Sequence, residues 1–124
     1  MADVNIFTQD GEEFVADLIT GIETVPAHYY IGWGTGATEA AKADSAIETE
    51  SGDESRGEAT LSQPSADIAQ FYALMTCTSN PKTIKNAGVL TALADGVLAL
   101  HSSFTGIVLA VGDKIDFTFT LELT

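Results

Sequence analysis

The chain has 124 residues, 45% of them apolar, which fits one domain with a real core. Eighteen acidic residues against five basic ones give a formal charge of −13. That balance argues against nucleic acid and anionic membranes as partners, because both need Lys and Arg to meet phosphate, and it favours solubility.

No stretch is long and apolar enough to span a bilayer, and residues 1–10 lack the charged and apolar regions of a secretion signal. The single cysteine, Cys77, has no partner for an internal disulfide and reads as a small buried hydrophobe in a strand.

The first predicted element is a helix from Asp10 to Gly21. Asp10 is placed to cap it, with Glu13 completing a capping box. Phe14, Val15, Leu18 and Ile22 fall at helical spacing, and Gly21 and Pro26 stop the run. A helix this short needs docking to persist. Residues 1–25 therefore read as an N-terminal arm, with residues 26–124 as one β-domain.

Ala27 to Trp33 reads as a strand with Tyr29, Ile31 and Trp33 on one face, broken by Gly32, Gly34 and Gly36. From Ala37 to Glu58 the chain turns small and acidic, with seven acids (Glu39, Asp44, Glu48, Glu50, Asp53, Glu54, Glu58) and two bases (Lys42, Arg56). It lacks a continuous apolar stripe. The expectation is an exposed excursion anchored at Ile47. Further strands are predicted at 58–63 and 70–79, the second apolar on both faces and so central or interfacial. The apolar run 84–94 pairs with 97–101 across Asp95-Gly96, a hairpin signal. A second hairpin is expected from 107–111 through Gly112-Asp113 into the last strand. That strand alternates strictly: Ile115, Phe117, Phe119, Leu121 and Leu123 against Asp116, Thr118, Thr120, Glu122 and Thr124. A period of two means one buried face and one wet face. The fold class that follows is mainly β, a jelly-roll-like antiparallel β-sandwich of six or seven strands with a short N-terminal helix or docking arm.

Chemical motifs are sparse. Gly32-Trp-Gly-Thr-Gly36 has the look of a dinucleotide loop, but no βαβ alternation follows and acids flank it. Glu48, Glu50, Asp53 and Glu54 lack EF-hand spacing and read as a solvated acidic loop rather than a Ca²⁺ site. His28 and His101 have no neighbours at metal-ligand spacing, and each reads as a strand residue at a surface or interface. No spacing picks a carboxylate pair for glycoside hydrolysis. The reading is no enzyme, no cofactor and no metal site. Trp33, beside three glycines, suits either the core or an interface.

Ile31-Gly-Trp-Gly-Thr-Gly-Ala-Thr38, then Asp44-Ser-Ala-Ile47-Glu-Thr-Glu50 and Arg56, resembles a pattern in small virion proteins of tailed bacteriophages. These are capsid decoration (cement) proteins and tail-fibre-associated proteins. Ala87-Gly88-Val89-Leu90, the Asp95-Gly96 turn and Val111-Gly112-Asp113-Lys114-Ile115 extend the resemblance over residues 28–124. Asn86 departs from it, standing where family members often carry an acid. The resemblance implies a virion protein made in the bacterial host cytoplasm and seated on the outer capsid surface. It implies the major capsid protein and the chain itself, as a homotrimer, as partners, and no nucleic acid or membrane. Ile6, Phe7, Phe14, Leu18, Ile22 and Trp33 are the candidate partner-binding residues. A tail-fibre or baseplate component and a carbohydrate-binding β-sandwich, with Trp33, Tyr29 and Tyr30 stacking on sugars, are the alternatives.

Overall fold

The computed structural model describes residues 3–123. Met1, Ala2 and Thr124, which the sequence reading assigns to the arm and the last strand, lie outside the described residues. The elements run β1 (Val4–Phe7), α1 (Gln9–Thr20), β2 (Tyr30–Gly34), β3 (Gly57–Glu58), β4 (Thr60–Ser65), β5 (Ile68–Thr76), β6 (Lys82–Leu90), β7 (Leu98–Leu109) and β8 (Lys114–Glu122). The fold is mainly β, with two antiparallel sheets and one short helix. One sheet has the order β1-β7-β6-β2-β3 and the other β4-β5-β8.

The two sheets share one apolar cluster. Ile31 and Trp33 of β2, Ala87 and Val89 of β6 and Leu100 of β7 meet Ala73 and Met75 of β5, with Phe117 and Phe119 of β8 packed against them. Trp33 meets Phe117 edge-on at 6.2 Å between ring centroids. The alternation in β8 thus buries the expected face. β5 is the central strand of its sheet, with Ala73 and Met75 on its core face and Tyr72 and Leu74, on the other face, exposed. Cys77 is fully buried, and its thiol donates to the Asn80 carbonyl.

Several expectations are corrected. The helix starts two residues early because Thr8, not Asp10, caps it. The Thr8 hydroxyl accepts from Gly11 N–H at 2.9 Å and donates to the Leu98 carbonyl, so one side chain caps α1 and ties it to β7. Gly21 closes the helix in the left-handed region, φ 81°. Val4–Phe7, not predicted as a strand, pairs with Leu100–Ser103 of β7. The segments expected at 97–101 and 107–111 are one strand, β7. β6 and β7 form the expected hairpin, but β6 ends at Leu90 rather than at Ala94: Thr91 N–H donates to the Val97 carbonyl, and Asp95 and Gly96, at φ 55° and 78°, turn the chain inside the longer loop between them. The second hairpin does not form. Gly112 N–H donates to the Cys77 carbonyl and Cys77 N–H to the Asp113 carbonyl, so this turn carries the chain across to the other sheet, where β8 pairs with β5.

The glycines after Tyr30 do not break their strand. Gly32 and Gly34 lie within β2 and pair with Gly88 and Asn86 of β6. Their bare outer side is covered by residues 47–50. A Cβ on Gly32 would sit 2.8 Å from both Glu50 Oε2 and Ile47 Cδ1, and one on Gly34 would collide with the Glu48 carbonyl. Gly34→Ala is expected to cost about 3 kcal/mol in chemical denaturation, because backbone rather than a mobile side chain must move aside. Gly52→Ala, with open space at its Cβ, is the control and should stay within about 0.5 kcal/mol of the wild type.

Candidate functional site

The acidic segment 37–58 is mostly exposed, as expected, and it lies as a strap over the sheet with Ala40 and Ile47 buried. Ile47 anchors it as expected, buried with Leu90 and Leu98. The outer face of the five-stranded sheet beneath it is small and polar, and that is why it reads poorly in sequence. Asn86, His101 and Ser103 are all buried there. Ala40 N–H donates to Ser103 Oγ at 2.8 Å, and Glu48 N–H to Asn86 Oδ1 at 3.1 Å. Asn86 Nδ2 donates back to the carbonyls of Gly36 and Glu48, which fixes the amide's orientation. His101, expected at a surface or interface, is 2% exposed. Its ring lies between Asp44 Oδ2 at 2.8 Å and Asn86 Oδ1 at 3.0 Å.

The acids read as a solvated loop have defined partners. Glu50 grips Arg56 through both oxygens, at 2.7 and 2.8 Å. The same guanidinium donates to the carbonyls of Ala92 and Asp95. Glu48 accepts from the N–H and hydroxyl of Thr38. Asp53 and Glu54 both meet Lys82, at 3.1 and 3.2 Å, with the Lys82 and Glu54 side chains only 7% and 6% exposed. Burial alone would raise the Glu54 carboxyl. Bonds from Ser79 N–H, from Thr78 through its hydroxyl and N–H, and from Lys82 outweigh it and hold the pKa at about 2. Burial likewise opposes the charge on Lys82, and its bonds to Asp53 and Glu54 raise its pKa all the same. These carboxylates bond inward to the fold. Among the described residues no group of three or more His, Cys, Asp or Glu is placed to hold a metal ion.

The candidate partner-binding residues fall in different places. Ile6 and Phe7 lie half-buried in β1, paired with β7. Phe14 is buried, edge-on to Tyr29 at 6.5 Å. Leu18 is half-buried and Trp33 is 1% exposed, in the core. Only Ile22 stands open, at 77%, and it has company: Ile19 and Val25 are 81% and 73% exposed. The three lie at the end of α1 and just past it, three residues apart. That spacing is legible in the sequence, but a search for the helix's buried stripe passes over Ile19 and Val25.

A second open surface lies between the sheets. β1, β7 and β8 line a cleft of about 710 Å³. Its walls include Ile6, Phe104, Ile115, Phe117 and Phe119, and acids Asp3, Asp116 and Glu122 also line it. Asp116 accepts a hydrogen bond from the Tyr72 hydroxyl at 2.9 Å, and that bond raises the tyrosine's pKa. Both surfaces offer shape and apolar area with carboxylates nearby. No family model matches the chain, and no curated protein matches it.

The Glu54 cluster has a pH signature. Its folded pKa lies below the ordinary glutamate value of 4.5, so the unfolded chain binds more protons between pH 4.5 and about 2. Stability from Glu54 is therefore full above pH 4.5 and lost as pH falls toward 2. The group lies close under the surface, and screening trims the contribution to about 1–2 kcal/mol. Denaturation of wild type and Glu54→Gln across that range should show the two curves converging at the acid end.

Proposed function

We propose that the chain is a structural protein of a tailed-phage virion, a capsid decoration protein that binds the outer capsid surface and stabilises the head. Its partners on this reading are the major capsid protein and further copies of itself, and it is made in the host cytoplasm before mounting. The two facing antiparallel sheets are read as a jelly-roll-like sandwich.

The observation that carries the proposal is the set of three large aliphatic side chains, Ile19, Ile22 and Val25, standing in solvent on a chain of charge −13. Charge keeps the free subunit soluble, and such a patch gains by being covered. Ile19 stands on the helix that Thr8 fixes to β7, and Ile22 and Val25 follow just past its Gly21 cap. The phage-like motif also has a physical rationale here: its glycines in β2 leave room for the strap, and its Ile47 anchor and Glu50–Arg56 pair hold the strap down. A protein that binds only the assembled shell stabilises it by mass action. Sugar binding through Trp33 is disfavoured, since a residue 1% exposed offers no face to a ring.

The test is abundance in purified particles. A ratio to the major capsid protein near one, or one to a small integer, is expected. A ratio far lower would move the protein to the tail fibre or baseplate, and absence from particles would sink the virion reading. An Ile19→Asp/Ile22→Asp/Val25→Asp variant should remain folded by circular dichroism and lose head occupancy at least about tenfold, as desolvating three carboxylates at a contact is costly. Unchanged occupancy would remove this patch as the docking face.

A further inference from the structure

Each sheet ends in two edge strands, and three of the four edges are blunted. β3 is two residues long. β1 is four residues long and runs straight into the helix cap. β4 carries Pro64 and a register shift between Ser62 and Ser65. Shortness, proline and bulges are the devices that keep edges from pairing. β8 has none of them. It is nine residues long and in unbroken register with β5. Its apolar face, half-buried, lines the cleft.

The backbone of β8 is set for one more strand. Cys77 N–H donates to the Asp113 carbonyl, and Leu123 N–H donates to the Asp67 carbonyl. Peptide groups alternate sides along a strand. Odd-numbered residues therefore face β5. Lys114, Asp116, Thr118, Thr120 and Glu122 turn their N–H and C=O groups to the open side.

We infer that this edge pairs with the β8 of a second copy, antiparallel about a two-fold axis through Thr118. Charge selects the register. With the axis at Thr118, Lys114 lies opposite Glu122 of the second copy, and the symmetry makes that pair twice. Asp116 lies opposite Thr120, so no carboxylate faces another. On the apolar face Phe117 meets Phe119 and Ile115 meets Leu121, in the pairs whose side chains approach closest. An axis at Phe119 sets Asp116 against Glu122, twice. An axis at Phe117 sets Lys114 against Thr120 and leaves Glu122 beyond the last pair. An axis between residues turns apolar side chains against the wet face. The occupant is thus a second copy of this chain, recognised by its own strand. The contact is closed and two-fold, unlike the trimer that the phage resemblance implies, and it does not rest on the virion reading.

The test is light scattering of the full chain over a concentration series. The expected mass is twice the 13.0 kDa of one chain. Lys114→Glu sets glutamate opposite glutamate at both ends and should raise the dimer dissociation constant at least about tenfold. Lys114→Glu/Glu122→Lys should restore it. Thr118→Pro removes an N–H that points away from β5, so it should keep the monomer's circular dichroism and abolish the dimer. If Thr118→Pro fails to fold, the charge swap decides. A monomer at every concentration, a three-fold mass, or a Lys114→Glu variant with an unchanged profile would overturn the inference. Particle abundance is read separately. A monomer abundant on heads defeats this inference alone, and a dimer missing from particles defeats only the virion reading.

Discussion

The close approach of residues 47–50 to the bare backbone of β2 is the constraint on which the outer half of the structure depends. With side chains at 32 and 34 the strap would be lifted off the sheet. Three consequences follow from keeping it down. Ile47 reaches Leu90 and Leu98. The Glu48 backbone comes within bonding distance of Asn86. Glu50 lands beside Arg56. Asn86, His101 and Ser103 are then buried with partners already in place, which is the condition for polar groups to be tolerated there. The five-stranded sheet is thus covered on both sides, by the apolar cluster on one and by a hydrogen-bonded layer on the other.

Cations are scarce, and three of the five join segments distant in sequence. Lys42 bonds the Phe7 carbonyl and pairs with Glu12, linking the strap to β1 and α1. Arg56 joins Glu50 to the β6–β7 turn. Lys82 fixes Asp53 and Glu54 to the start of β6. A buried ion pair such as Lys82–Glu54 adds little over a well-packed apolar substitute, but loss of one partner strands a charge. Their value here is positional. An acidic segment without an apolar stripe has no hydrophobic means of choosing where to lie, and these pairs choose for it. Most of the chain's negative charge still faces solvent, so net repulsion and local pairing coexist.

The parts of the fold legible in the sequence are those built on period and turn chemistry. The alternation from Ile115 to Leu121, the stripe of Tyr29, Ile31 and Trp33, and the Asp95-Gly96 turn all read directly. What failed were choices between local signals settled by distant contacts. Asp10 is as good a cap as Thr8 in isolation, and the Thr8 bond to the Leu98 carbonyl decides. Gly112 looks like a hairpin turn, and only the bonds to Cys77 reveal a crossing between sheets. Gly32 and Gly34 signal a break when read along the chain and a contact when read across it. The strap was invisible for the same reason: its partners, Asn86, His101 and Ser103, lie 38 or more residues further on and are polar. Of the candidate docking residues, Phe14 and Trp33 went to the core because large apolar groups in regular elements find it first, and Ile22 stayed out because it lies beyond the helix cap.

Charge plays two roles in any self-association of such a chain, and they act at different ranges. At a distance, two bodies of charge −13 repel, and salt shortens that repulsion to a Debye length of about 8–10 Å. Within that range only the groups at the contact matter. Along the open side of β8 these are one cation at the start, an acid at the end, and an acid near the start already bonded to Tyr72. Net charge therefore opposes association in general, whereas the order of charges along this edge favours one register over its neighbours. Repulsion that penalises every arrangement, with a local pattern that relieves it in one, is how specificity arises from a difference of affinities rather than from affinity alone. The blunted edges β1, β3 and β4 act in the same direction, because each removes a competing way for two copies to pair.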